Sequence, residues 1–130
     1  MKTGKLFVGL LLASLLMFAG FAQALEIKPY SSESLTQLQT TGKPVAVHFH
    51  ADWCSTCRVQ ERVLKELQGD PELEGVTLLV ANYDEERGLR QAMNVRAQSV
   101  IVVFRGEDET ARLGGQTRRD DIRSALITAR

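Results

Sequence analysis

Short runs of apolar residues recur along the chain, separated by stretches in which apolar and charged positions alternate at helical spacing. Five runs have the β-branched, aromatic and aliphatic composition of strands: residues 25–28, 45–50, 76–81, 100–104 and 110–113. The 45–50 run is broken internally only by His48, which is typical of a strand covered on both faces. A parallel or mixed sheet is therefore predicted.

Four further segments carry apolar residues three and four positions apart, which predicts helices at residues 31–39, 54–67, 85–93 and 118–129. The predicted inner side of the second helix carries Val59, Val63, Leu64 and Leu67. The resulting order is β-α-β-α-β-α-β-β-α. That order predicts one α/β domain, with a central mixed sheet and helices on both faces.

The first 24 residues have a different pattern from the rest. Lys2 and Lys5 precede an almost wholly apolar run at residues 6–21, and Ala22-Gln23-Ala24 follows it. This arrangement predicts a secretory signal peptide, residues 1–24, cleaved after Ala24 and followed by a domain at residues 25–130. The alternative is an uncleaved N-terminal helix that anchors the protein, because the apolar run is long for a signal peptide.

The balance of charged residues limits the classes of partner that we expect. The chain has 16 basic and 16 acidic side chains; loss of residues 1–24 removes two Lys and no acid, which leaves 14 and 16 and a net charge near −2. No basic stripe accompanies the few aromatic residues, so nucleic acid is not an expected partner. The 106 residues that remain are enough for one modest core without several disulfides.

The two cysteines of the chain, Cys54 and Cys57, are separated by two residues. An exported protein with two cysteines would by default have one structural disulfide. A bridge over so short a loop removes little entropy from the unfolded chain, however, and stabilises the fold poorly. Redox or metal chemistry is the better interpretation.

The pair falls where a predicted strand gives way to a predicted helix. Cys54 at the helix start would have its thiolate stabilised by free N–H groups and the helix dipole. Cys57 lies one turn further on and on nearly the same face. We therefore expect Cys54 to be an exposed nucleophile and Cys57 a shielded resolving cysteine, with their disulfide as the redox centre and no other cofactor or metal.

Residues 47–57, which end in the motif Trp-Cys-Ser-Thr-Cys, resemble the active-site strand, turn and helix of the thioredoxin superfamily. The resemblance extends over residues 26–130, and segments 78–82 and 89–95 are similar to the C-terminal periplasmic domain of the disulfide reductase DsbD. It implies a thioredoxin fold and a monomeric periplasmic oxidoreductase that acts on protein disulfides. It also implies a membrane-bound electron donor of the DsbD type.

Ser99 departs from the family pattern, which has a cis-proline at this position facing the sulfurs. A cis peptide before a residue other than proline costs about 2.5–4 kcal/mol, so the Gln98–Ser99 bond is expected to be trans. The resemblance places Trp53, Gln98 and Ser99 in the substrate-binding surface.

His48 aligns with the buried acid of the family, and Val80 aligns with its partner lysine. Imidazole titrates near neutral pH, which makes His48 a candidate base for Cys57. The alternative is a neutral core histidine bonded to the backbone. His50, on the same strand face, is expected to be structural or partly exposed.

Three functions are compatible with these residues. A reductase is favoured because Ser55 and Thr56 place no charge or imidazole between the sulfurs. A second possibility is a copper or iron–sulfur binding module or carrier that uses Cys54, Cys57 and His48. The third, prompted by Ser99, is a degenerate fold that serves only to bind a partner.

Overall fold

Five strands and four helices follow one another in the computed structural model, which describes residues 23–130. The strands are β1 (Glu26–Pro29), β2 (Pro44–His50), β3 (Thr77–Asn82), β4 (Val100–Arg105) and β5 (Asp108–Gly114). The helices are α1 (Ser32–Thr40), α2 (Ser55–Leu67), α3 (Arg87–Ala92) and α4 (Arg119–Ile127), with a 3₁₀ turn at Pro71–Leu73. This confirms the predicted order. Nearly all of the predicted signal peptide lies outside the described residues.

The strands form one mixed sheet in the order β1-β3-β2-β4-β5. β3 is parallel to both β1 and β2, whereas β4 is antiparallel to β2 and β5. β2 thus lies at the centre, with His48 opposite Val80 on one side and Ile101 on the other. Its central place explains the nearly continuous apolar run of this strand.

Alternate residues of β2 divide the core into two parts. Ala46 faces a cluster that contains residues of α2 and α4, such as Leu64, Leu67 and Leu126. Val47 and Phe49 face the opposite cluster, which is partly covered by α1 and α3. Burial of each large apolar side chain stabilises the folded state by roughly 1.5–3 kcal/mol. Packing on both faces of the sheet therefore holds β2 in its central position.

The inner face of α2 agrees with the predicted one only in part. Its buried residues are Cys57, Gln60, Leu64 and Leu67, whereas Val59 and Val63 are only half-buried. Spacings of three and four residues put the four buried positions in one stripe at 3.6 residues per turn. The prediction was correct for Leu64 and Leu67 and omitted Gln60, because it counted apolar residues alone.

α3 is shorter than predicted and contributes no buried residue. The side chain of Asn82, at the end of β3, accepts hydrogen bonds from the backbone N–H groups of Asp84 and Glu85. This turn delays the start of the helix, because Asn competes locally for backbone donors. Among residues 23–130, no helix is both long and apolar enough to cross a membrane.

Candidate active site

Cys54 occupies the N-cap of α2. Its backbone is extended, with φ −92° and ψ 110°, and its Sγ accepts a hydrogen bond from the Cys57 N–H at 3.1 Å. The Cys54 N–H in turn donates to the Ala51 carbonyl at 3.1 Å, which closes the turn from β2. The sulfur therefore lies at the positive end of the helix dipole, where an anionic form is stabilised.

The Cys54 and Cys57 sulfurs lie at disulfide-bonding distance, and their Cα atoms are 5.2 Å apart. Cys57 is fully buried, whereas Cys54 keeps 5% of its surface exposed. The expected difference in access is therefore present, but the prediction that Cys54 is an exposed residue was wrong. Ala51 and Tyr83 pack against the pair.

Ser99 lies directly against both sulfurs. Its Oγ is 3.1 Å from Cys54 Sγ and 3.1 Å from Cys57 Sγ, and the residue is only 4% exposed. Since no peptide bond in residues 23–130 is cis, the trans Gln98–Ser99 bond is confirmed. Ser99 instead has a left-handed backbone, with φ +66°. Gln98, which precedes it, is half-buried.

Gln60 is a fully buried member of the site that the sequence reading missed. Its Nε2 donates to the carbonyls of Ser99, at 3.0 Å, and Gln116, at 2.9 Å. Its Oε1 lies 2.9 Å from His48 Nε2. Because both amide hydrogens are used by carbonyls, the oxygen must accept, and His48 carries its proton on Nε2. The signal available in the sequence was a glutamine between Cys57 and Leu64 on the helical stripe.

His48 is buried against α2, and burial lowers its pKa to about 4, although the hydrogen bond to Gln60 opposes the shift. The imidazole is consequently neutral at physiological pH. Its partner is a side chain rather than the backbone, which corrects the alternative given above. Among the described residues it makes no hydrogen bond to either sulfur. It borders a cavity of about 50 Å³ with His50, Glu61 and Val80.

His50 and Trp53 lie at the end of β2 and in the turn that follows it. His50 is half-buried and pairs with Asp52 at 3.0 Å, as expected of a partly exposed residue. Trp53, directly before Cys54, is 61% exposed, and its Nε1 donates to Asp84 at 2.7 Å. The bond to Asp84 fixes the indole and leaves a rigid apolar surface beside Cys54.

Replacing Gln60 with leucine is expected to lower the free energy of unfolding by ~2 kcal/mol, because it leaves the buried Nε2–H of His48 unpaired and removes hydrogen bonds to the Ser99 and Gln116 carbonyls. Urea denaturation of the oxidised protein measures the change. Gln91→Leu, at an exposed position of α3, is the matched control and should change stability by less than about 0.5 kcal/mol. Equal stability of the two variants would contradict the assigned network.

No three side chains among the His, Cys, Asp and Glu residues of 23–130 lie together as a metal site would require. The described groups at the site that could take part in a reaction are the two sulfurs, the Ser99 hydroxyl and the His48–Gln60 pair. Their arrangement places the Cys54 sulfur at a helix start and the fully buried Cys57 sulfur at disulfide distance from it.

A family model described as Thioredoxin matches residues 27–128. The crystal structure of Trxlp from Edwardsiella tarda EIB202 has a TM-score of 0.74 and 33% identity, and the match covers 78% of this chain and 98% of Trxlp. Thioredoxin H2-1 of Oryza sativa is 30% identical over 71% of this chain and 64% of its own length. A Schizosaccharomyces pombe protein named after protein disulfide-isomerase is 27% identical over 85% of this chain and 23% of its own length. The chain thus spans less than two thirds of these two relatives.

Proposed function

The chain belongs to the thioredoxin family of thiol–disulfide oxidoreductases, and we propose that it is an exported reductant of protein disulfides. The observation that carries the proposal is the Cys54–Cys57 pair, at disulfide distance on the first turn of α2. A helix start favours a thiolate, and the unequal burial of the sulfurs gives them different roles.

In the proposed reaction, the Cys54 thiolate attacks one sulfur of a substrate disulfide and releases the other as a thiolate. Cys57 then loses its proton and attacks Cys54 Sγ, which releases the second substrate sulfur. The protein pair is oxidised by two electrons and the substrate disulfide is reduced by two. Trp53 directly precedes Cys54 and is 61% exposed, and we propose that the substrate sulfur approaches beside its ring. Trp53, Gln98 and Ser99 are the proposed substrate contacts.

His48 is proposed as the base that receives the Cys57 proton. Its ring is neutral, as a base must be, and its Nε2 proton is donated to Gln60. The lone pair available for a proton is therefore that of Nδ1. This role predicts that resolution of the mixed disulfide slows in a variant without the imidazole, while attack by Cys54 is retained.

The pattern of residues 1–24 supports export to the periplasm with cleavage after Ala24, and anchoring by an uncleaved helix is the alternative. Leu25 is fully buried, so a cut after Ala24 keeps the first core residue in the domain. A monomer supplied by a membrane-bound donor of the DsbD type is proposed from the resemblance of segments 78–82 and 89–95. A metal carrier gains no support from His48, because among residues 23–130 this side chain forms no metal-ligating group with the two cysteines.

The direction of electron flow is tested by the reduction potential of the Cys54–Cys57 pair, measured at equilibrium with glutathione. We expect a value closer to the ~−270 mV of thioredoxin than to the ~−120 mV of the oxidant DsbA, because Ser55 and Thr56 add no charge between the sulfurs. The Cys54→Ser variant provides the baseline without a redox pair. A potential near that of DsbA would overturn the assignment as a reductant.

A further inference from the structure

The hydroxyl of Ser99 is a buried donor with an unusual set of partners. Within residues 23–130, its hydrogen bonds are to Cys54 Sγ and Cys57 Sγ, each at 3.1 Å. The sulfurs of a disulfide are weak acceptors, whereas a thiolate accepts a strong charge-assisted bond. The same hydroxyl therefore bonds weakly in the oxidised protein and strongly in the reduced one.

We propose that Ser99 is a further catalytic residue, whose O–H donates to the Cys54 thiolate of the reduced protein and stabilises it. The inference rests on the proposed thiol–disulfide exchange and adds a hydrogen-bond donor to its reacting atoms. The family resemblance expects proline at this position, and a proline ring offers no such donor. Ser99 would therefore set the thiolate pKa and the reduction potential of this protein by a means the proline lacks.

The backbone around Ser99 holds the hydroxyl in place. Its N–H donates to the Phe49 carbonyl at 3.0 Å, and its own carbonyl accepts from the Gly115 N–H at 2.9 Å and from Gln60 Nε2. A left-handed backbone is uncommon for a residue other than glycine and persists where its surroundings fix it. Here β2, α2 and the segment after β5 fix it, and the outcome is an oxygen equidistant from both sulfurs.

The hydroxyl has one proton and two lone pairs, so it can serve both cysteines at once. In the reduced protein it donates to the Cys54 thiolate and accepts from the Cys57 S–H. When Cys54 attacks, its negative charge passes to the departing substrate sulfur and the Ser99 proton stays on Oγ. Ser99 thus changes the energy of the thiolate without taking part in the proton or electron balance.

Two variants test the donor. Ser99→Ala and Ser99→Gly both remove the hydroxyl, but only glycine also relieves the left-handed backbone. In both, the apparent pKa of Cys54, followed by thiolate absorbance against pH, should rise by about one unit. At a pH above both pKa values, the equilibrium with glutathione should shift about tenfold toward the disulfide, which corresponds to ~30 mV in the reducing direction. Attack below the pKa should slow only about threefold, because a more basic thiolate is more nucleophilic.

The two variants distinguish the effect of losing the hydroxyl from the effect of relaxing the backbone. An unchanged pKa in two folded variants would overturn the inference, and so would a rise in only one of them, since both lack the donor. If the pKa rises in both variants while the wild-type protein fails to reduce insulin, the Ser99 inference stands and the proposed function fails. Circular dichroism of each variant establishes that it is folded before the titration is read.

Discussion

Replacing Cys57 with alanine is expected to abolish turnover of disulfide substrates and to leave the substrate covalently attached to Cys54. The variant keeps the nucleophile at the N-cap of α2 and loses the sulfur that releases it. Insulin reduction in the presence of dithiothreitol should fall to the rate of dithiothreitol alone. Mixed disulfides should accumulate and be visible on non-reducing gels, with substrate attached at Cys54 by mass spectrometry.

Cys54→Ser is the control for this trap. Its remaining cysteine, Cys57, is fully buried, and its sulfur has no access to a protein substrate. It should show neither insulin reduction nor trapped complexes. Complexes formed by Cys54→Ser but not by Cys57→Ala would reverse the two assigned roles. Trapping in intact cells would also identify the substrates, and exclusively cytoplasmic partners would contradict the proposed export.

The order of strands and helices could be predicted because each element is encoded locally. The 45–50 run predicts a central strand, and the observed β2 lies in the middle of the sheet. The position of Cys54 at a helix start follows from the same pattern, because the strand ends and the helical spacing begins there. The thioredoxin fold, the disulfide pair and the trans bond before Ser99 could all be predicted from the sequence.

The environment of the sulfurs could not be predicted in the same way, because it is made by contacts between distant residues. Gln60 is hydrogen-bonded to the Ser99 carbonyl although the two residues are 39 positions apart in sequence. The Ser99 hydroxyl is likewise hydrogen-bonded to Cys57, 42 positions away. No local spacing encodes such contacts. Tyr83, which follows a different strand, likewise packs against the cluster that contains both cysteines.

Lowering the pH is expected to destabilise the folded protein through His48, and the sign follows from its pKa. Burial lowers this pKa from an ordinary 6.5 to about 4, so between these values the unfolded chain binds a proton that the folded chain does not. The free energy of unfolding should therefore be highest above pH 6.5, fall as the pH drops and level off below pH 4. The contribution lost is on the order of 3 kcal/mol.

Urea denaturation of the oxidised protein across this range measures the loss without titration of the cysteines. His48→Leu should flatten the dependence between pH 6.5 and 4, even if loss of the bond to Gln60 lowers its stability at every pH. Asp70 acts in a separate window: the hydrogen bond from Arg123 holds the pKa of its carboxyl below the ordinary 3.8, so its contribution is lost only at lower pH. An equal slope in the wild-type and His48→Leu proteins would show that His48 is not the buried neutral group. Loss of the slope in the variant would establish the neutral imidazole that the proposed base requires.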